Sequence, residues 1–157
     1  MDKLYIPGDL VMTNGVPLGT AKDVVYRVTS SDPSKTLELD DGTVLKDVVC
    51  LENIEGAEFG EKGYLSGDCC AWVKDIVPIP LTPSILEKNR WKKKMYCDWC
   101  HYLPIEGNIL YLSKGIGIDG AFSVDVGQGM SHIACISFVH QLQHLFFGFG
   151  LSSKMEV

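Results

Sequence analysis

One stretch, Phe138-Val-His-Gln-Leu-Gln-His-Leu-Phe-Phe-Gly-Phe149, carries the clearest helical period in the chain and dictates what the rest must provide. At about 100° per residue, Phe138, Val139, Leu142, Leu145, Phe146 and Phe149 fall on one side. So broad an apolar stripe needs a cover, and the remaining sequence offers mainly short strands, so the helix is expected to lie on a sheet. The opposite side carries His140, His144 and Phe147, which the period places in solvent.

The first half reads as strands separated by turn chemistry. Gly8 to Gly15 runs into an Asn-Gly turn, Asp23 to Thr29 nearly alternates, and Thr36-Leu-Glu-Leu-Asp40 alternates strictly before Asp41-Gly42. Val44 to Leu51 continues the series and Cys70 to Val77 closes it. Glu52 to Gly67, with four Gly and four Glu, reads as a long loop. Short strands at this spacing predict a small SH3-like barrel over residues 1–77.

Pro78-Ile-Pro-Leu-Thr-Pro83 ends that domain, because prolines lack the N–H a central strand needs. Thr82 is placed to cap a short helix over 83–90, with Pro83 at its first position and Ile85 and Leu86 turned inward. Strands follow at Ile109–Ser113, Phe122–Val126 and His132–Ser137, joined by Gly-rich turns at 115–120 and 127–129, and the helix 138–149 closes residues 78–157. The expected fold class is α+β, mostly β: an SH3-like barrel followed by an α+β layer.

Composition limits the function classes. With 46% hydrophobic and 22% charged residues among 157, the chain has the balance of a folded protein. No stretch approaches the roughly 18 apolar residues of a membrane span, and the start lacks a basic then apolar leader, so a soluble cytoplasmic protein is expected. Its six cysteines are then expected as thiols, with Cys50 and Cys135 buried in apolar strands. Residues 1–80 carry 7 Lys/Arg against 14 Asp/Glu, residues 81–157 carry 7 against 6. The acidic first half repels phosphate and favours a protein or basic-peptide partner over DNA.

Within the second half, Arg90-Trp-Lys-Lys-Lys94 with Tyr96 and Trp99 interleaves cations and rings, the pattern of a partner, nucleotide or single-strand surface. The bland alternative is a solvated helix end whose lysines oppose the helix dipole. Cys97-Asp-Trp-Cys-His101 has the spacing of c-type haem attachment and of a redox dithiol, but no export leader and no preceding βαβ pattern support either. Cys97 and Cys100 with His140 and His144 would make a Cys₂His₂ zinc set, with His101 as a substitute ligand. Cys69, Cys70, Cys97 or Cys100 could pair with His101, His132, His140 or His144 as nucleophile and base, yet nothing in the spacing fixes an orienting third group. Asp40-Asp41 is explained by its turn, and Gly115-x-Gly117-x-x-Gly120 is followed by no helix pattern.

The segments Pro78 to Asn89 and Val139-His-Gln-Leu-Gln-His-Leu145 resemble a group of small uncharacterised proteins carried by prophages and conjugative elements of gut bacteria. In that group an Ile-Pro-Leu-Thr-Pro helix start follows a short β domain, and a His-Gln-Leu-Gln helix with an aromatic run ends the chain. The resemblance covers Ile76–Trp91 and Val139–Val157; Cys97–His101 and Phe147-Gly-Phe-Gly150 depart from it. It implies a phage-related accessory protein in the bacterial cytoplasm and brings no catalytic residues. The combined expectation is a non-enzymatic binding protein engaging a protein partner through Arg90, Trp91, Lys92, Lys93, Lys94, Tyr96, Trp99, His140, His144 and Phe147. A structural-zinc protein on Cys97 and Cys100 is the alternative, and an inhibitor or sponge for a host defence protein or nucleotide signal is the third.

Overall fold

Asp41-Gly42 turns the first sheet back on itself. Gly42, at φ +83°, takes the left-handed conformation that a residue without Cβ adopts freely. Its N–H donates to the Leu39 carbonyl at 2.9 Å, and Thr43 N–H donates to the Asp41 carboxylate at 2.8 Å. Those bonds from Thr43 hold the Asp41 carboxyl below its ordinary value. A computed structural model describes residues 4–15, 24–54, 69–97, 99–114 and 121–157, in two units, Met1–Ile79 and Pro80–Val157.

In the first unit, β1 (Leu10–Thr13), β2 (Tyr26–Glu38), β3 (Val44–Asn53), β4 (Cys69–Trp72) and β5 (Ile76–Pro78) form one antiparallel sheet in the order β4-β3-β2-β1-β5. Tyr26 and Val28 point inward and Arg27 outward, the period of two that a one-sided core requires. They bury with Tyr5, Val11, Val24, Val49, Leu51, Ala71 and Ile76. The two strands expected at 23–29 and 36–40 are one strand, bulged between Val28 and Ser30 and between Asp32 and Thr36. Its far half outruns the core, so Leu37 and Leu39 are exposed despite their alternation. The strand expected over 70–77 is also divided. A 3-10 turn at Val73–Asp75 separates β4 from β5 and sends them to opposite edges of the sheet. Buried Asp75 anchors that turn by accepting from Asn14 Nδ2 at 2.9 Å and from Lys74 Nζ at 2.9 Å. The five strands are an open sheet in their described pairings, and the loop expected from Glu52 to Gly67 lies, beyond Ile54, outside the described residues.

In the second unit, α1 (Pro83–Lys88) begins where Thr82 Oγ1 accepts from Ile85 N–H at 3.3 Å. It stops by a Schellman motif: Trp91 N–H donates to Leu86 O at 3.0 Å and Arg90 N–H to Glu87 O at 3.1 Å. Arg90 takes φ +68° at the position glycine usually fills. The chain then extends into β6 (Lys92–Lys93), so the lysines lie on a strand and not at a helix end. With β7 (Cys100–Ile105), β8 (Asn108–Lys114), β9 (Phe122–Val126) and β10 (Ser131–Ile136) it makes an antiparallel meander. The turn expected at 115–120 lies outside the described residues.

The closing helix, α2, spans Val139–Gly148. Gln141 Oε1 accepts from Ser137 N–H at 2.7 Å and Phe138 N–H at 3.1 Å, supplying the cap that Phe138 cannot. A second Schellman motif ends it, with Gly150 at φ +72° and Leu151 N–H donating to Phe146 O at 2.9 Å. Leu81, Leu86, Trp91, Leu110, Leu112, Phe122, Val124, Ile136, Val139, Leu142 and Phe146 are among the buried apolar residues of this unit, each fully buried large side chain contributing about 1.5–3 kcal/mol. Among the described residues no helix is long and apolar enough to cross a membrane.

Candidate functional site

The turn between β6 and β7 is built by short-range backbone bonds. Lys94 N–H donates to Cys100 O at 2.8 Å, Cys97 N–H to Lys94 O at 3.1 Å and Cys100 N–H to Cys97 O at 3.4 Å. Tyr96 takes φ +63° within this turn. Met95 is 77% exposed, Tyr96 100% and Trp99 58%. Lys92, Lys93 and Lys94 flank them in solvent, and Lys94 Nζ lies 5.6 Å from the centre of the Tyr111 ring, within range of a cation–π contact. The tip is fixed to the sheet by Lys114 N–H, which donates to Trp99 O at 2.8 Å.

Two expected site residues belong elsewhere. Trp91, which follows the Schellman motif that ends α1, is 3% exposed and stacks on Phe146 of α2 with ring centres 6.3 Å apart. It is a residue of the core. His140, expected in solvent, is 7% exposed; its ring stacks on Phe138 at 5.9 Å and meets the His144 ring edge-on at 5.6 Å. The buried side of α2 runs through Val139, His140, Leu142, Gln143 and Phe146, rotated from the predicted stripe. Gln143 Nε2 donates to Ser153 O at 3.0 Å, so the segment after the helix covers that flank, while Phe149 is left 42% exposed. His144 is half-buried and only Phe147 of the three stands clear, 69% exposed.

The zinc set does not assemble. Among the described residues no group of three or more His, Cys, Asp or Glu side chains is placed to hold a metal ion, and Cys97, Cys100, His140 and His144 are all described. Cys100 is buried, its thiol directed to His101 O at 3.9 Å, with Ser113 Oγ at 3.5 Å. His101 lies under α1, 2% exposed, with Glu87 Oε1 3.7 Å from Nε2 as its nearest charge. Cys50 and Cys135, expected in the core, are half-buried and exposed; Cys50 Sγ lies 2.8 Å from Cys70 Sγ across the β3–β4 ladder.

A cavity of about 620 Å³ opens beside Arg90, in the size range of small-ligand sites. Lys88, Arg90 and Lys154 stand at it over Leu103, Phe146 and Met155. The terminal segment that forms one wall is clamped by Asn89, whose Nδ2 donates to Glu156 O at 2.7 Å and whose Oδ1 accepts from Glu156 N–H at 2.8 Å. Met95 and this clamp had no signal in the sequence beyond an unassigned apolar residue and an ordinary helix-end asparagine. Comparison with protein-family models, curated proteins and solved structures finds no match for the chain.

Proposed function

We propose that the chain is a non-enzymatic binding protein, an accessory of a mobile genetic element as the resemblance implies, that engages a protein partner through the β6–β7 tip. The observation that carries this reading is the exposure of Met95, Tyr96 and Trp99 together on one turn flanked by Lys92, Lys93 and Lys94. Large rings held out by a short turn lose little entropy on contact, and aromatic anchors within a polar rim are the usual energetic centre of an interface. The lysines select an acidic surface or peptide around the apolar anchor. The strand order of the first sheet, with a 3-10 turn between β4 and β5, supports an SH3-like barrel as the other half of this binding protein. Capture of a nucleotide signal is the second reading, favoured by the same rings and cations.

Selection of displayed peptides, with counter-selection on a Tyr96→Ala, Trp99→Ala double variant, tests this. The expected ligands are acidic with an apolar anchor, and lose about tenfold or more in affinity for the variant. Selected peptides that bind both proteins equally overturn the placement. Stabilisation by nucleotides or single-stranded oligonucleotides, lost in the same variant, favours the second reading over the first.

A further inference from the structure

The outward face of the second sheet carries a cluster that the spacing of its residues in the chain conceals. On β9, Ser123 and Asp125 are two apart and share a face. On β10, His132 and Cys135 are three apart and in a regular strand would point to opposite sides. A bulge at Ile133 changes this: His132 pairs with Asp125 and Ala134 with Val124, so one residue of β10 is extra and Cys135 comes opposite Ser123. All four side chains therefore stand on one face.

Their contacts are ordered. His132 Nδ1 lies 2.8 Å from Ser123 Oγ and 3.5 Å from Asp125 Oδ1, while Nε2 faces Cys135 Sγ at 3.9 Å. A carboxylate only accepts, so the Nδ1 side favours the tautomer with its proton there, leaving the Nε2 lone pair toward the thiol. Asp125 is 9% exposed and Cys135 is open to solvent, so the base is backed by a fixed charge while the sulfur remains accessible.

We propose that Cys135 is a thiol-modification site, activated by His132 and taking a low-molecular-weight disulfide. His132 Nε2 removes the Cys135 proton and the thiolate attacks one sulfur of the disulfide. A new bond to Sγ forms as the old S–S bond breaks, and the departing thiolate collects the proton from the imidazolium and leaves as a thiol. Cys135 is oxidised, half of the disulfide is reduced, and no other oxidant is needed. His132 and Cys135 are both exposed, which gives a bulky disulfide access to the sulfur. Cys100, in the same cross-strand row through Ser113 and Ser123, is three strands away, about 14 Å at the usual strand spacing, too far to displace the bound half. Release of the bound half then calls for a thiol from outside this sheet.

Oxidised glutathione in excess at pH 7, with peptide mass mapping of each cysteine, tests the site. Cys135 of the folded protein is expected to react at least about threefold faster than Cys135 of the same chain unfolded in urea. His132→Gln is expected to lower the folded rate to the unfolded one, Ser123→Ala to lower it partly, and Ser123→Thr to restore it. A folded rate no greater than the unfolded one overturns the proposal without any variant, and so does a His132→Gln protein that reacts as fast as the parent. The peptide selection on the β6–β7 tip is independent of this outcome.

Discussion

Tyr5 sits 1% exposed in the first core, and burial, with the Asp9 carboxylate adding to it, pushes its phenol up to about 12. The neutral form is thus the one the fold holds. Stability from this residue is complete below pH 10, the ordinary phenol value, and is lost as pH rises toward 12. Chemical denaturation between pH 9 and 12 should show a loss of order 2 kcal/mol that a Tyr5→Phe variant lacks. At this scale the sequence was readable wherever a residue acts on its near neighbours. Thr82 before Pro83 announced a cap, and Asp41-Gly42 a turn. Trp91 was misplaced because its position follows from Arg90 taking the left-handed conformation, which nothing in a Lys-rich run announces. His140 was misplaced because its cover depends on residues after the helix.

Among elements, one amide ties the end of the C-terminal segment to α1, since Asn89 makes two bonds to the Glu156 backbone and also donates to Ile85 O at 2.7 Å. Asn89→Ala should cost about 1–2 kcal/mol and speed hydrogen exchange of the Glu156 amide about tenfold, while amides in β8 stay protected. Equal protection of Glu156 in both proteins would show that Lys88 and the cavity walls suffice to hold it. The strands β8 and β9 were legible because each alternates over a one-sided core, and β10 as a short apolar run whose alternation the bulge at Ile133 breaks. The break between β4 and β5 was not, since Cys70 to Val77 is continuous in strand propensity and the interruption comes from Asp75 reaching Asn14, a contact distant in sequence.

For the molecule as a whole, each unit has its own buried set, Tyr5 to Ile76 in the first and Leu81 to Phe146 in the second. Fragments 1–79 and 80–157 should each fold when made alone, giving dispersed amide spectra and a cooperative melt. An unfolded fragment would show that one unit depends on the other for its stability. The sequence places its boundary at Pro78 to Pro83, and there Pro78 is the last paired residue of β5, at an edge of the first sheet where a residue without N–H is tolerated.

The bulge at Ile133 has a further meaning for how such chemistry could arise or disappear. Whether sulfur and imidazole meet depends on strand phase: the extra residue at the bulge brings them to one face, and the same residues in a strand paired without the bulge would stand on opposite sides. Frame within a strand, as much as residue identity, can thus be what selection acts on, and a gain or loss of reactivity could leave every polar residue of the cluster unaltered.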